Sequence, residues 1–221
     1  MTITRTATAL AAALALSGCF GLGGGKPPAQ LYTLSPDATA PAGTGAQASS
    51  SGSTPVVVAA GGLAATVSTP TAPQVIVVSE PSAPRALAVN RMPVQLDATR
   101  IAYLKDAVWA EHPTALFRNL LIETLRRDTH RIVLADDDLA ARGGLRLSGQ
   151  LLAMGYDTST SPHSVVVRFE ALRSTAKGQF ASQRFEATVP DVAPNGNAVA
   201  AALNVAANQV AHQVAAWMVG Q

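Results

Sequence analysis

Cysteine is almost missing from this chain: Cys19 is the only one. No internal disulfide can form, so the fold is held by apolar burial rather than by covalent staples. Charge of one sign is missing too. The 16 Lys and Arg against 14 Asp and Glu leave a formal charge of +2. That is too balanced for a nucleic-acid grip, which needs clustered cations to displace counterions. Beyond the N-terminus no run approaches the ~20 apolar residues of a membrane helix. The histidines His112, His130, His163 and His212 are isolated, with no His-Glu-x-x-His pairing and no close acidic partner pattern. That pattern speaks against metal or catalytic use. The run Asp136-Asp137-Asp138 lacks the Gly and distal Glu of an EF-hand loop and reads as a solvated loop or helix start. Gly143-Gly144 and Ser148-Gly149 stand outside any Walker or Rossmann context. No nucleophile carries a base at a motif spacing. The expectation is a protein without enzymatic activity, cofactor or metal.

What is present begins at the N-terminus. Leu16-Ser17-Gly18-Cys19 closes a short apolar run that starts near Ala7, behind Arg5. This is a positive n-region, an apolar stretch too short to span a bilayer, and a small-residue cleavage site. It resembles the lipobox of bacterial lipoproteins. The resemblance implies a diacylglyceryl group on the Cys19 thiol, cleavage before Cys19 and acylation of the new amine. Each buried CH₂ contributes about 0.8 kcal/mol, so two or more acyl chains anchor firmly. Phe20 follows the cysteine, where an Asp would retain a lipoprotein in the inner membrane. The resemblance therefore implies an outer-membrane anchor with the domain facing the periplasm.

Composition then divides the chain. Residues 1–18 read as a signal peptide, 19–30 as a lipidated tether and 31–221 as a single periplasmic domain. Before Arg85 only Arg5, Lys26, Asp37 and Glu80 are charged; after it both signs arrive regularly, as on a folded surface. From Pro36 to Pro73 the chain is nearly all Ala, Gly, Ser, Thr, Pro and Val. Such a stretch has little side-chain area to offset ordering entropy and reads as a mobile insertion at about 36–73. Val56-Val57-Val58 is a patch in it with strand character.

Leu31 to Leu34 reads as a first strand between prolines. Gln74 to Val78 is a β-branched run suited to a strand buried on both faces. Pro93 to Leu96 and Arg100 to Leu104 are short extended pieces, and a tight turn at Lys105-Asp106 leads into Ala107-Val108-Trp109. Pro113 fits the first position of a helix. Leu116, Phe117, Leu120, Leu121 and Leu125 form its apolar stripe. Glu123 and Arg127 make an i,i+4 pair on the other side. A short strand at Ile132 to Leu134 follows. Leu145 to Tyr156, Ser164 to Arg173 and Phe180 to Val189 read as a three-strand meander, alternating apolar and polar residues, with one sheet face wet and the other covered. The cover is a C-terminal helix that starts at Asn195-Gly196-Asn197. Val199, Leu203, Ala206, Val210, Val214 and Trp217 form its stripe, with Asn204, Asn208 and His212 off it.

The order of these features is similar to the ABC-type transport auxiliary lipoprotein family (PqiC-like). The residues that carry the likeness are the lipobox, Leu31-Tyr32-Thr33-Leu34, Arg100-Ile101-Ala102-Tyr103, Trp109-Ala110-Glu111 before a proline-led leucine helix, the meander, and a C-terminal helix ending in Trp. The fold it implies is mixed α/β (α+β), a largely antiparallel sheet with two main helices packed on one face, in agreement with the patterning. The function it implies is a binding and scaffolding subunit of an intermembrane lipid transport system, working beside an MCE-type substrate-binding protein and a membrane permease. The insertion at 36–73 departs from the compact family pattern.

Tyr103 and Trp109 flank the expected turn. They serve either as caps on the core or as aromatic anchors of an interface. With the turn edge Lys105-Asp106 they form the candidate partner contact. Self-association into a homo-oligomer is left open. The alternative function is an outer-membrane lipoprotein that regulates a cell-envelope enzyme. A long flexible linker between anchor and domain would favour it, whereas here structure begins at Leu31, soon after Cys19.

Overall fold

The computed structural model describes residues 30–37, 75–136 and 144–220. The sequence from 38 to 74 lies outside them, so the mobile-insertion and Val56-Val57-Val58 readings do too. So do Cys19, the signal and most of the tether.

Among the described residues the order is β1 (Leu31–Tyr32), β2 (Ile76–Val78), β3 (Arg91–Gln95), β4 (Ile101–Trp109), α1 (Pro113–Thr129), β5 (Val133–Ala135), β6 (Leu145–Asp157), β7 (Ser164–Thr175), β8 (Phe180–Pro190) and α2 (Gly196–Val219). The strands make one eight-stranded mixed sheet, not closed into a barrel. β6 is its spine. One edge of β6 pairs antiparallel with β7, which pairs antiparallel with β8. The other edge is shared. β2 runs parallel to its first residues, Ile76 opposite Leu145, and β3 runs parallel to its last, Gln95 opposite Asp157. Outside β2 lies parallel β5; outside β3 lie antiparallel β4 and then parallel β1. Most of the paired length is antiparallel, as the meander pattern implies.

Local chemistry explains the elements. Ile76, Val77 and Val78 are buried between parallel neighbours, where a run of β-branched residues is expected. Pro113 opens α1, where a missing N–H costs nothing, and the leucine stripe lies in the core. Asn195 caps α2, its side chain accepting from the Ala198 N–H. Both helices pack on one face of the sheet. Phe117 of α1 meets Phe169 of β7 edge to face at 5.2 Å, and Phe185 of β8 meets Trp217 of α2 at 5.7 Å. On the open face, register partners Arg168 and Glu186, and Glu170 and Arg184, form cross-strand ion pairs. The Arg168 guanidinium holds the Glu186 carboxyl below its ordinary range by hydrogen bonding, against a smaller opposing effect of burial.

Several local readings are corrected. Strand pairing of the first segment stops at Tyr32 rather than Leu34. Glu123 pairs with Arg126, not Arg127. The reason is that Arg127 turns toward the backbone carbonyl of Asp37 and the Asp128 carboxylate. Asp136 forms an ion pair with Arg146; Asp137 and Asp138 lie outside the described residues. His212 has an acidic partner distant in sequence, Asp128, at 2.6 Å. Among the described residues no group of three or more His, Cys, Asp or Glu is placed to hold a metal ion.

Candidate partner-binding site

Lys105 and Asp106 do not form a chain-reversing turn. β4 continues through them. Tyr103 sits opposite Pro93 and Val108 opposite Arg91, so Leu104, Lys105, Asp106 and Ala107 all fall opposite the single residue Met92. The surplus is taken up as a bulge larger than a single extra residue. Asp106 lies at its crest with φ +56°, a left-handed conformation that Asp tolerates better than most side chains. The bulge re-aims the strand. Lys105 and Asp106 are pushed into solvent, while Ala107 and Trp109 turn into the core.

The four candidate residues therefore separate. Trp109 is fully buried, its backbone N–H donating to the Asn90 carbonyl at 2.8 Å. Its indole N–H has no acceptor. It supports the bulge from beneath and offers no surface. Tyr103 is half-buried, with the Arg91 guanidinium over its ring at 5.0 Å. Of the four, Lys105 and Asp106 are exposed and Tyr103 is half-buried.

The chain's entry into the domain lies beside this bulge. β1 pairs with the end of β4, Leu31 opposite Val108 and Tyr32 opposite Trp109. After β1 the backbone runs along α2 and is held by a row of asparagines. The Tyr32 hydroxyl donates to Asn197 Oδ1 at 2.8 Å. The Ser35 N–H donates to Asn204 Oδ1 and the Asp37 N–H to Asn208 Oδ1, each at 2.9 Å. Asn208 Nδ2 donates in return to the Ser35 carbonyl. Asn208 is fully buried, contrary to its place off the apolar stripe. Gly196 makes room for this strap, because a Cβ there would come within 2.7 Å of the Tyr32 hydroxyl. The insertion's first residues, Pro36 and Asp37, thus belong to the ordered domain. Sequence reasoning missed the strap. The signal was three asparagines in an Ala- and Val-rich helix that carries no Asp, Glu, Lys or Arg.

These features, a leucine helix and an asparagine-lined helix on one face of a sheet whose spine carries two strands on a shared edge, meet a known description. The family profile described as "ABC-type transport auxiliary lipoprotein component" matches residues 59–215. The chain belongs to the ABC-type transport auxiliary lipoprotein family. Solved structures share the fold. A Xanthomonas campestris protein of family DUF330 is 21% identical, with a TM-score of 0.57 over 68% of this chain and 88% of that one. A structure described as an uncharacterized protein is 16% identical, with a TM-score of 0.58 over 66% of this chain and 92% of that one. No curated protein matches the sequence. The family match covers α1, most of α2, the bulged strand and the meander, and leaves β1 and its strap outside.

Proposed function

We propose that this auxiliary lipoprotein is held at the outer membrane through lipidated Cys19 and faces the periplasm. There it serves as a binding and scaffolding subunit of an MCE-type intermembrane lipid transport system and carries no chemistry of its own. The observation that carries the reading is the placement of the strap. The segment that leads from the tether is locked to α2 and paired with β4. Residues 20–29, fully extended, reach about 33–36 Å. A domain tied in this way is held near its anchor, with the exposed Lys105-Asp106 bulge beside the point of entry. That arrangement suits a subunit that fixes a partner's end at a membrane.

The test has two parts. Cys19→Ser leaves a soluble or uncleaved precursor, and normal membrane fractionation of that variant rejects the anchor. Pull-down of the wild-type protein from envelope extracts recovers an MCE-type protein or a permease; recovery of neither rejects the transport role. Lys105→Glu weakens the recovery. If a partner is recovered equally by Lys105→Glu, the bulge is not the contact.

A further inference from the structure

The end of the domain away from the chain's entry carries a cavity that docking does not use. It measures about 430 Å³, within the range of small-ligand sites. Arg131 and Arg173 supply its charge, and Leu145, Phe180, Met218 and Val219 its apolar wall. No carboxylate is among the described residues that line it. The two arginines differ. Arg173 is fixed, its Nη1 donating to the Trp217 carbonyl at 3.1 Å and its guanidinium lying over the Trp217 ring at 4.7 Å. The Arg131 side chain makes no hydrogen bond or ion pair with any described residue, and its Nη1 is shielded from solvent without an acceptor. Buried donors without acceptors are rare in folded proteins. A guanidinium has five of them in a fork that matches phosphate or carboxylate. Beside these cations, Phe180 is 71% exposed, so its ring is open to a ligand in the cavity.

We propose that this cavity binds an anionic amphiphile. Its phosphate or carboxylate is held by Arg131 beside Arg173, and its hydrocarbon lies on Phe180, Leu145 and Val219. Two cations with no counter-charge among the described lining residues select an anion, and the apolar wall selects one with a tail. The position selects a lone molecule rather than a bilayer. Tyr32 is bonded to Asn197 in the first turn of α2, whereas the cavity is lined by Met218 and Val219 in its last. Asn197 and Val219 are about 33 Å apart at a rise of about 1.5 Å per residue. On the anchoring proposed above, residues 20–29 would need to be almost fully extended to lay the cavity on the bilayer that holds Cys19. The inference goes beyond scaffolding, because the subunit itself then holds a ligand.

The test uses the full chain carrying Cys19→Ala, which brings no acyl group of its own. It is titrated calorimetrically with dodecyl phosphate below its micelle point, with inorganic phosphate, and with the neutral amphiphile dodecyl maltoside. Dodecyl phosphate binds saturably at one site, and Arg131→Gln weakens it by about tenfold or more, as loss of a charged hydrogen-bond donor requires. Phe180→Ser also weakens it; this exposed side chain leaves the fold intact, so the variant decides the matter if Arg131→Gln does not fold. Equal affinity for inorganic phosphate overturns the proposal in favour of a plain anion site. Absence of binding, equal affinity for the maltoside, or unchanged affinity in the variants overturns it as well. None of these results bears on partner recovery, so the docking role stands or falls separately.

Discussion

Asn208, buried in the middle of α2, donates to the carbonyl of Ser35 at 2.9 Å, across most of the length of the sequence. The same side chain accepts from the Asp37 N–H. One amide thus serves both a donor and an acceptor of a backbone segment that has no strand neighbour among the described residues. It does for the strap what a sheet partner does for β1.

Asn208→Ala removes both bonds and leaves part-buried backbone groups without partners. The expected loss is about 1–3 kcal/mol. At this chain length each kcal/mol lowers the thermal midpoint by about 2–4 °C. Calorimetric melting measures it, and a midpoint within a degree of wild type shows that the strap is not held by this residue.

Leu121 is 1% exposed in the stripe of α1 that faces the sheet and α2. Leu121→Ala is expected to destabilise by about 2–5 kcal/mol, through lost transfer energy and the cavity left behind. Urea unfolding gives the value. A change under about half a kcal/mol, the size of an ordinary surface substitution, places α1 outside the core.

Asp106 occupies a left-handed position on the β4 bulge. Asp106→Asn keeps the side chain that tolerates it and alters stability by less than about 0.5 kcal/mol. Asp106→Val places a β-branched residue there and costs about 1–2 kcal/mol. Equal stability of the two variants by urea unfolding shows that the bulge relaxes. Asp106→Asn is accordingly the cleaner charge probe for partner binding.

Glu186 receives both hydrogen bonds of the Arg168 fork, at 2.6 and 3.0 Å. Its carboxyl is held below the ordinary value of 4.5, first by that hydrogen bond. A carboxyl with a lowered folded pKa contributes stability above its unfolded value and loses it as pH falls through the folded one. Both side chains are more than a third exposed, so the contribution at pH 7 is under about 1 kcal/mol. Glu186→Gln is therefore slightly less stable than wild type at neutral pH, and the gap closes below pH 4.5. A gap that persists in acid means that packing, not charge, is lost.

Local patterning made part of the fold legible in the sequence. Alternation placed β6, β7 and β8, because a half-buried strand must show period 2. Leucine spacing, Pro113 and Asn195 placed the helices, because stripe, missing N–H and cap act within a few residues. The family likeness rested on the order of those same elements. What depends on distant partners emerged only on folding. Lys105-Asp106 has turn chemistry whether the chain reverses or bulges; pairing of Arg91 with Val108 makes it a bulge. That bulge also decides which candidate contacts reach solvent, burying Trp109 and leaving Lys105 exposed. Asn208 reads as a surface residue until Ser35 and Asp37 supply its partners. Glu123 has two arginines at helical spacing, and the strap's Asp37 carbonyl draws one of them away. The cavity that joins Arg131 and Phe180 likewise follows from the meeting of elements far apart in the chain. In each case the deciding interaction joins groups brought together only by folding, and no local window of sequence contains both of them.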